Sequence, residues 1–268
     1  AMSPSALTYK CLAGELTGEL VIDAHCHMGP WYNFWVREGG WAPAMVRSMD
    51  VCGITVSIVA PHVAIGPDER IGNDQAYAAA REFPGRIVPF VTINPNRPRQ
   101  VIEAEIARWE AEGIVGFKLH PSLHGYRASG EGYRPVYEYA SARGLTVLSH
   151  CWDGDPHGAP SVIAALAGEY PGASFVIGHA ASGWSVLETS CVEARRHENV
   201  YLDLTGSGML YGGLEYMVTH ADPERITFGS DNPFIDPRPP LARVLMARIS
   251  DDYKRLILGL NAKRLYNL

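Results

Sequence analysis

The sequence predicts an α/β protein, a single (β/α)8 TIM barrel. Eight short β-branched runs recur at intervals of roughly 25 to 35 residues, and helix-period segments lie between them. The first strand is followed by HMGPWYNF, without the glycine-rich phosphate turn of an open doubly wound sheet, which is the alternative fold. Because strict βα alternation gives a parallel sheet covered by helices, eight units in about 250 residues match a closed barrel.

The predicted strands are short apolar runs, each bounded by turn signals. In chain order they are Leu20–Cys26, Thr55–Pro61, Arg86–Ile93, Gly113–His120, Leu145–Cys151, Ser174–Ala180, Val200–Gly206 and Arg225–Asp231. Helix-period segments such as Arg99–Gly113 and Ala159–Gly172 end at a glycine or a Pro-Gly stop. We interpret residues 20–268 as one barrel domain and residues 1–19 as an N-terminal extension.

Composition favours a protein that acts on a small-molecule substrate. The 268 residues are 47% hydrophobic and 19% charged, with a net charge of −6 and scattered basic residues, which argues against nucleic-acid and membrane partners. No apolar run approaches the roughly 18 residues of a membrane helix, so we expect a cytoplasmic protein. The five cysteines show no C-x-x-C spacing, which argues against disulfides and a thiolate zinc site. A homodimer is left open.

Histidines and carboxylates stand where the predicted strands end. In VIDAHCHMG, Asp23, His25 and His27 share one face, because alternate strand residues point to the same side. The later strands add Lys118, His120, His150, His179 and Asp231. The carboxyl ends of barrel strands surround the active site of such enzymes, so these side chains are expected to converge there.

A metal site is predicted by four imidazoles and one carboxylate at the matching ends of strands 1, 5, 6 and 8, namely His25, His27, His150, His179 and Asp231. Neutral imidazole and carboxylate are ligands that Zn²⁺ prefers, and Mn²⁺ is the alternative ion. Taken singly, such a histidine is more often a hydrogen-bonded core residue. Lys118 has three interpretations of comparable weight: a carbamylated bridge between two metals, a partner for a substrate carboxylate, or a partner for Asp or Glu.

The remaining histidines carry weaker signals. His120 and His124 lie in the loop after strand 4, where we expect exposure, although His120 is also a candidate substrate-binding residue. His62, His197 and His220 show no strand-end pattern and are given no role.

The motif order resembles the amidohydrolase superfamily. D-x-H-x-H is followed by K-L-H-P, a strand-5 His before Trp-Asp, I-G-H and G-S-D-N-P-F, and the chain ends in an N-A-x-R-L segment. The similarity is to the amidohydrolase 2 branch, which includes aminocarboxymuconate-semialdehyde decarboxylase, resorcylate-type decarboxylases, and hydrolases of lactones and amides. The resemblance implies that His25, His27, His150 and Asp231 bind the metal, with His179 as a further ligand or a catalytic imidazole.

Two enzymatic functions follow as hypotheses. The first is a metal-dependent hydrolase of a small amide, lactone or ester, in which Asp231 accepts a proton from metal-activated water and His179 stabilises the oxyanion. The alternative is a metal-dependent non-oxidative decarboxylase, a lyase, of an aromatic or unsaturated carboxylic acid. A barrel that only binds a ligand is the third hypothesis, since fold alone does not fix function.

The loops after the strands supply candidate substrate contacts. The segment Gly29–Trp41 carries five aromatic residues that could line an apolar wall for a flat substrate, with core or dimer packing as the alternative. They are Trp31, Tyr32, Phe34, Trp35 and Trp41. Other candidates by position are Tyr126, Arg127, Arg134, Trp152, Asp153, His157, Trp184, Met209 and Tyr211.

Overall fold

A computed structural model describes residues 5–33, 35–152, 154–206, 208 and 210–268. Within this part of the chain, eight parallel strands follow one another with helices between them. They are β1 Ile22–Met28, β2 Val56–Pro61, β3 in two segments Ile87–Pro89 and Val91–Thr92, β4 Gly116–Leu119, β5 Thr146–His150, β6 Ser174–Gly178, β7 Val200–Asp203 and β8 Ile226–Thr227. Strands β2 to β8 each lie within the corresponding predicted run, whereas β1 continues two residues beyond the predicted end at Cys26, to Met28.

The strands pair with their neighbours in chain order, and backbone hydrogen bonds close the barrel. β1 to β3 pair in parallel, as do the second segment of β3 and β4 to β8. Phe90 N donates to Val59 O at 2.9 Å, which joins the two sets. Ala24 N donates to Phe228 O at 2.9 Å and His27 N to Asn232 O at 2.7 Å, which joins β1 to the segment after β8. The predicted TIM barrel is confirmed.

Helices cover the outside of the barrel. In order they are α1 Ala6–Leu12, α2 Ala42–Cys52, α3 His62–Ile65, α4 Glu69–Glu82, α5 Arg99–Glu110, α6 Pro121–His124, α7 Arg134–Arg143, α8 Pro160–Glu169, α9 Trp184–Arg196, α10 Gly213–His220, α11 Arg238–Met246, α12 Asp251–Arg255 and α13 Asn261–Tyr266. α4 begins where Asp68 Oδ1 accepts from Ile71 N, and α2 ends at Gly53 with φ 68°. No helix in the described ranges is long and apolar enough to cross a membrane.

The C-terminal segment packs against the barrel core. Tyr266 of α13 is buried, and its ring lies 5.6 Å from that of Phe90. Asn261 Nδ2 donates to Pro223 O and Ile226 O, both at 2.8 Å. Because Asn261 satisfies two carbonyls beside β8, this asparagine fixes the end of the chain on the last strand.

The first residues of the chain pack on the C-terminal helices through a buried ammonium group. Lys254 of α12 is fully buried and donates to Ser5 Oγ at 2.6 Å, Thr8 Oγ1 at 2.8 Å and Leu245 O at 2.9 Å. Thr8 Oγ1 in turn donates to Leu245 O at 2.7 Å. The segment 1–19 therefore includes a helix, α1, in contact with α11 and α12. The domain boundary at residue 20 stays a prediction.

Candidate metal centre

Three of the predicted ligands lie together at the barrel mouth. His25 and His27 come from β1 and Asp231 from the segment after β8, and their ligand atoms all lie within 4.8 Å of one another. Asp231 Oδ1 lies 3.1 Å from His27 Nε2 and 3.8 Å from His25 Nε2. Both imidazoles are almost completely buried. The strand-end pattern therefore brings two histidines and one aspartate into a single cluster.

In each imidazole ring, the hydrogen bond made by one nitrogen determines that the other nitrogen is available to bind a metal. His27 Nδ1 lies 2.9 Å from Ala60 O, an acceptor, so this nitrogen carries the proton. His25 Nδ1 lies 2.7 Å from Asp203 Oδ2, and His179 Nδ1 lies 3.1 Å from Thr205 O. In each case the neutral ring has its lone pair on Nε2. Histidines that bind metals are held in this way by their second nitrogen.

The cluster requires a positive charge between its lone pairs. His27 Nε2 and Asp231 Oδ1 are both acceptors in the tautomer that Ala60 imposes, and they lie only 3.1 Å apart. A proton or a metal ion satisfies both. Ligand atoms about 2.0 to 2.1 Å from a tetrahedral zinc are roughly 3.3 Å apart, so the observed spacing fits a divalent ion.

The charge state of Asp231 fits the same role. Burial alone would raise the pKa of Asp231, but the hydrogen bond that His27 Nε2 donates when it is protonated, together with the nearby His179 and His25, holds this pKa well below its ordinary value. The carboxylate therefore stays ionised, as a metal ligand must.

Lys118 lies inside the barrel beside this cluster. Its side chain is fully buried, and Nζ forms a hydrogen bond with His25 Nε2. Burial lowers the pKa of Lys118 to about 8. Within the described residues no ion pair joins Lys118 to an aspartate or glutamate, although the charges of Asp231 and Asp203 act to raise its pKa. All three interpretations of this lysine stay predictions.

Asp203 is a residue of the site that the sequence analysis missed. It ends β7, is fully buried, and accepts from His25 Nδ1, from Thr205 Oγ1 at 2.7 Å and from His179 N at 3.3 Å. Burial raises the pKa of Asp203. The strand-end rule that selected Asp231 applies equally to the aspartate of VYLDLTG and could have identified it.

We expect Asp203→Asn to weaken metal binding by about 10- to 100-fold, because the His25 ring loses the charged acceptor that fixes its tautomer and orientation. Competition with a chelator of known affinity measures this change. Asp236→Asn, which removes a surface partner of Arg238, is the matched control and should leave metal affinity unchanged. Equal affinity in Asp203→Asn and the wild type would contradict the role of Asp203.

His150 and His120 form a second group of imidazoles. Their rings stack at 3.9 Å and 16°, and the His150 ring lies 4.7 Å from that of His179. His150, the fourth predicted ligand, does not fall within the 4.8 Å cluster of His25, His27 and Asp231. The exposure expected for His120 is wrong: it is half-buried, because it stacks on His150 and caps α6 by accepting from Leu123 N at 3.3 Å.

The exposure expected for His124 is also wrong. His124 closes the one-turn helix α6 and packs inward, where Nδ1 lies 2.8 Å from Tyr133 Oη. Burial lowers the pKa of His124 from its ordinary 6.5 to about 4.

His124 should make the protein less stable in acid. The unfolded chain takes up a proton near pH 6.5 and the folded chain near pH 4, so this stabilisation is complete above pH 6.5 and is lost as the pH falls to 4. We expect a loss of about 3 kcal/mol over this window. Denaturant unfolding of the wild type and His124→Asn across the window measures it. Parallel curves for the two proteins would contradict the assignment.

The predicted aromatic wall is formed in part. The Trp31 ring lies 5.3 Å from those of His62 and Phe234, and the Phe234 ring lies 5.1 Å from that of His27. Trp35 is 80% exposed and so does not contribute to a wall in this conformation. Phe34 lies outside the described residues. His62, which was given no role, is buried within this aromatic group, and its position directly after β2 is the signal that could have identified it.

Other loop candidates lie at the rim. Trp152 is partly exposed, and its ring lies 5.3 Å from that of His179. Tyr211 is almost fully exposed, and Arg134 pairs with Glu131 on the surface. Asp153 and Met209 lie outside the described residues.

Two site residues have backbone conformations that non-glycine residues rarely adopt. His179 has φ 63° and Asp231 has φ 66°. Such left-handed conformations cost of order 1 kcal/mol or more and occur preferentially at functional sites. His179 follows β6 directly, whereas Asp231 lies four residues after the last residue of β8.

The protein is a TIM barrel whose mouth carries a cluster of imidazole and carboxylate groups of the kind that binds a metal ion. A family model described as Amidohydrolase, of the second amidohydrolase family, matches residues 22–268. The chain belongs to this family, as the sequence resemblance predicts. It is therefore an enzyme of the amidohydrolase superfamily. No curated protein matches the sequence significantly.

Solved structures with the same fold cover almost the whole chain. An uncharacterised TIM-barrel protein from Bordetella bronchiseptica has a TM-score of 0.72 and 20% identity over 91% of this chain and 97% of its own. A 5-carboxyvanillate decarboxylase from Novosphingobium aromaticivorans was solved in complex with manganese and 4-hydroxy-3-methoxy-5-nitrobenzoic acid. It has a TM-score of 0.69 and 16% identity over 94% of this chain and 97% of its own. A 2,6-dihydroxybenzoate decarboxylase from Rhizobium has a TM-score of 0.69 and 16% identity over 93% of this chain and 99% of its own.

Proposed function

We propose that the protein is a metal-dependent decarboxylase of a hydroxylated aromatic carboxylic acid. The observation that carries this proposal is the group of flat rings beside the ligand cluster. Phe234 and Trp31 lie next to His27, with ring centroids of Phe234 5.1 Å from His27 and 5.3 Å from Trp31. An aromatic acid whose carboxylate lies at the cluster would place its ring against these side chains.

The similar structures support this choice over hydrolysis. Two of them are decarboxylases of hydroxylated aromatic acids, and one contains manganese with a nitro-substituted aromatic ligand. Both match more than nine-tenths of this chain. The hydrolase that we first predicted is therefore the second candidate.

The chain's own residues hold the reacting groups. His25, His27 and Asp231 would bind a divalent ion, with His150 as a further predicted ligand, and Zn²⁺ and Mn²⁺ both suit nitrogen and carboxylate donors. The bound ion would supply a Lewis acid for the substrate carboxylate and its neighbouring hydroxyl.

Decarboxylation also needs a proton at the ring carbon. The bond from this carbon to the carboxylate breaks, its electron pair stays on the ring carbon, and carbon dioxide leaves as the carbon takes up a proton. We assign the transfer to His179: Thr205 O holds its Nδ1–H, so the lone pair on Nε2 first takes up a proton from the substrate hydroxyl or from water and then passes it to the ring carbon.

Hydrolysis of a small amide, lactone or ester is favoured by one observation of its own, the match to a family described as Amidohydrolase. In that reaction Asp231, kept ionised, would accept the proton of the attacking water, and His179 would stabilise the oxyanion.

Carbon dioxide release from a panel of hydroxybenzoates tests the proposal. The protein is loaded with Zn²⁺ or Mn²⁺, and unsubstituted benzoate is the control substrate. Release from a hydroxybenzoate and not from benzoate is the expected result. A parallel panel of lactones, amides and esters is followed by acid production. Hydrolysis without carbon dioxide release from any hydroxybenzoate would overturn the decarboxylase proposal in favour of the second candidate.

A further inference from the structure

His62 has a buried nitrogen without a hydrogen-bond partner. The residue directly follows β2, begins α3 and is 1% exposed. Its Nδ1 lies 2.6 Å from Gly29 O. Its Nε2 is excluded from solvent and has no hydrogen-bond partner within the described residues. A buried polar atom of this kind requires an explanation, because leaving it unpaired costs free energy.

The hydrogen bond to Gly29 determines what this nitrogen can recognise. A carbonyl oxygen only accepts, so the ring proton of a neutral His62 is on Nδ1 and the lone pair is on Nε2. The two nitrogens of an imidazole point in nearly opposite directions. Nε2 therefore faces away from Gly29 and can pair only with a group that donates a hydrogen bond.

The position of His62 connects it to the ligand cluster. Its ring stacks on Phe234 at 3.9 Å and 23°, and lies 5.2 Å from the ring of His27 and 5.3 Å from that of Trp31. These neighbours come from β1, from the loop after β1 and from the segment after β8. A small aromatic molecule held at His27 would lie beside the His62 ring, and a substituent would reach the solvent-excluded Nε2 as the neighbouring rings shift apart on binding.

We propose that His62 Nε2 accepts a hydrogen bond from a ring hydroxyl of the substrate and selects hydroxylated aromatic acids over their methyl ethers. This inference rests on the proposed function and names the substituent that the site reads. A methoxy group lacks the proton and leaves Nε2 unpaired. A site built to pair with a hydroxyl rejects an analogue that cannot pair, so we expect a preference of about 10- to 100-fold.

The test compares 2,6-dihydroxybenzoate with 2-hydroxy-6-methoxybenzoate. Each keeps one hydroxyl beside the carboxylate, and they differ only in the second donor. Calorimetric binding to the manganese-loaded wild type, His62→Phe and His62→Gln is measured, and carbon dioxide release is followed in parallel. His62→Phe keeps a flat ring against Phe234 without the acceptor, and His62→Gln keeps an acceptor oxygen. Manganese content and the unfolding midpoint check that each variant is intact.

The expected result is a wild-type preference for the dihydroxy acid that falls to within about twofold in His62→Phe and is partly kept in His62→Gln. Affinity of His62→Phe for the methoxy acid should stay close to that of the wild type. Equal preference in the wild type and His62→Phe would overturn the inference, as would a wild type that binds both acids equally because a buried water pairs with Nε2.

The outcomes separate this inference from the proposed function. The predicted binding preferences without carbon dioxide release would support the His62 contact and contradict the decarboxylase. Carbon dioxide release with no His62-dependent preference would support the decarboxylase and contradict the His62 contact. A wild type that binds neither acid would overturn the inference, because the substrate class it names is then wrong.

Discussion

Replacing His25 and His27 together with alanine is expected to remove the bound divalent metal and to reduce turnover by roughly a thousandfold or more. The two rings supply both imidazole nitrogens of the 4.8 Å cluster, and Asp231 alone is one carboxylate in a buried site. A single carboxylate does not hold such an ion at neutral pH against solvent. Plasma mass spectrometry of protein purified without chelator measures metal per chain, and about one equivalent in the wild type is the reference.

The matched control is His197→Ala with His220→Ala. These two histidines lie outside the cluster, with His197 after α9 and His220 at the end of α10. The control protein should keep its metal and its turnover. Full metal content in the His25→Ala, His27→Ala protein would place the ion elsewhere and contradict the proposed centre. Two equivalents in the wild type would favour a carbamylated Lys118 and a binuclear site.

Gly229→Ala is expected to lower turnover by about a hundredfold and stability by about 1 to 3 kcal/mol. A Cβ on Gly229 would lie 2.6 Å from Asp203 Oδ1 and 2.8 Å from His25 Cβ, and closer still to Thr205 Oγ1. All three neighbours are buried and joined through hydrogen bonds of Asp203, so none can move without disturbing the bond that orients His25. Denaturant unfolding, metal content and steady-state kinetics measure the effects.

Gly168→Ala provides the control for adding a methyl group. Gly168 lies inside α8, and the nearest atom to its new Cβ would be His197 Cε1 at 3.7 Å, an ordinary contact. Alanine in the last turn of a helix should stabilise the protein by at most about 0.5 to 1 kcal/mol, without affecting turnover. A Gly229→Ala protein as stable and active as the wild type would show that the space around Asp203 is larger than the structure indicates.

The barrel was predictable because its strands are short, buried and regularly spaced. β-branched runs and turn residues mark each strand, and the βα period fixes parallel order. The break in β3 at Phe90 was not predicted, although Pro89 stands directly before it. Proline has no N–H for the strand ladder, so this residue is the local signal that could have marked the break.

Part of the candidate site was also predictable, for a geometric reason. Alternation along β1 puts His25 and His27 on one face, and parallel strands bring their carboxyl ends together, so Asp231 joins them. Asp203 obeys the same rule and was overlooked because one aspartate in a strand resembles no motif. His62 follows a strand that ends in proline, and its role depends on ring contacts with residues far away in the sequence.

The loops were the least predictable part. His124 was expected at the surface and is buried, because its ring packs inward and hydrogen-bonds with Tyr133. Trp35 was expected at the wall and is exposed, whereas Trp31, four residues earlier, packs against His62. Loop side chains have no fixed period, so their direction follows from tertiary contacts rather than from spacing.

The buried ammonium of Lys254 has a consequence for how the whole chain unfolds. Its hydrogen bonds to Ser5, Thr8 and Leu245 are made by residues from opposite ends of the chain. If α1 detached, Lys254 would lose its hydrogen bonds to Ser5 and Thr8 together and would keep only Leu245 O and the nearby carboxylate of Asp251, so the detachment costs free energy at both ends of the chain. Local opening at the N-terminus is therefore energetically coupled to the last helices, and the two ends of the chain should exchange their amide hydrogens as one cooperative unit.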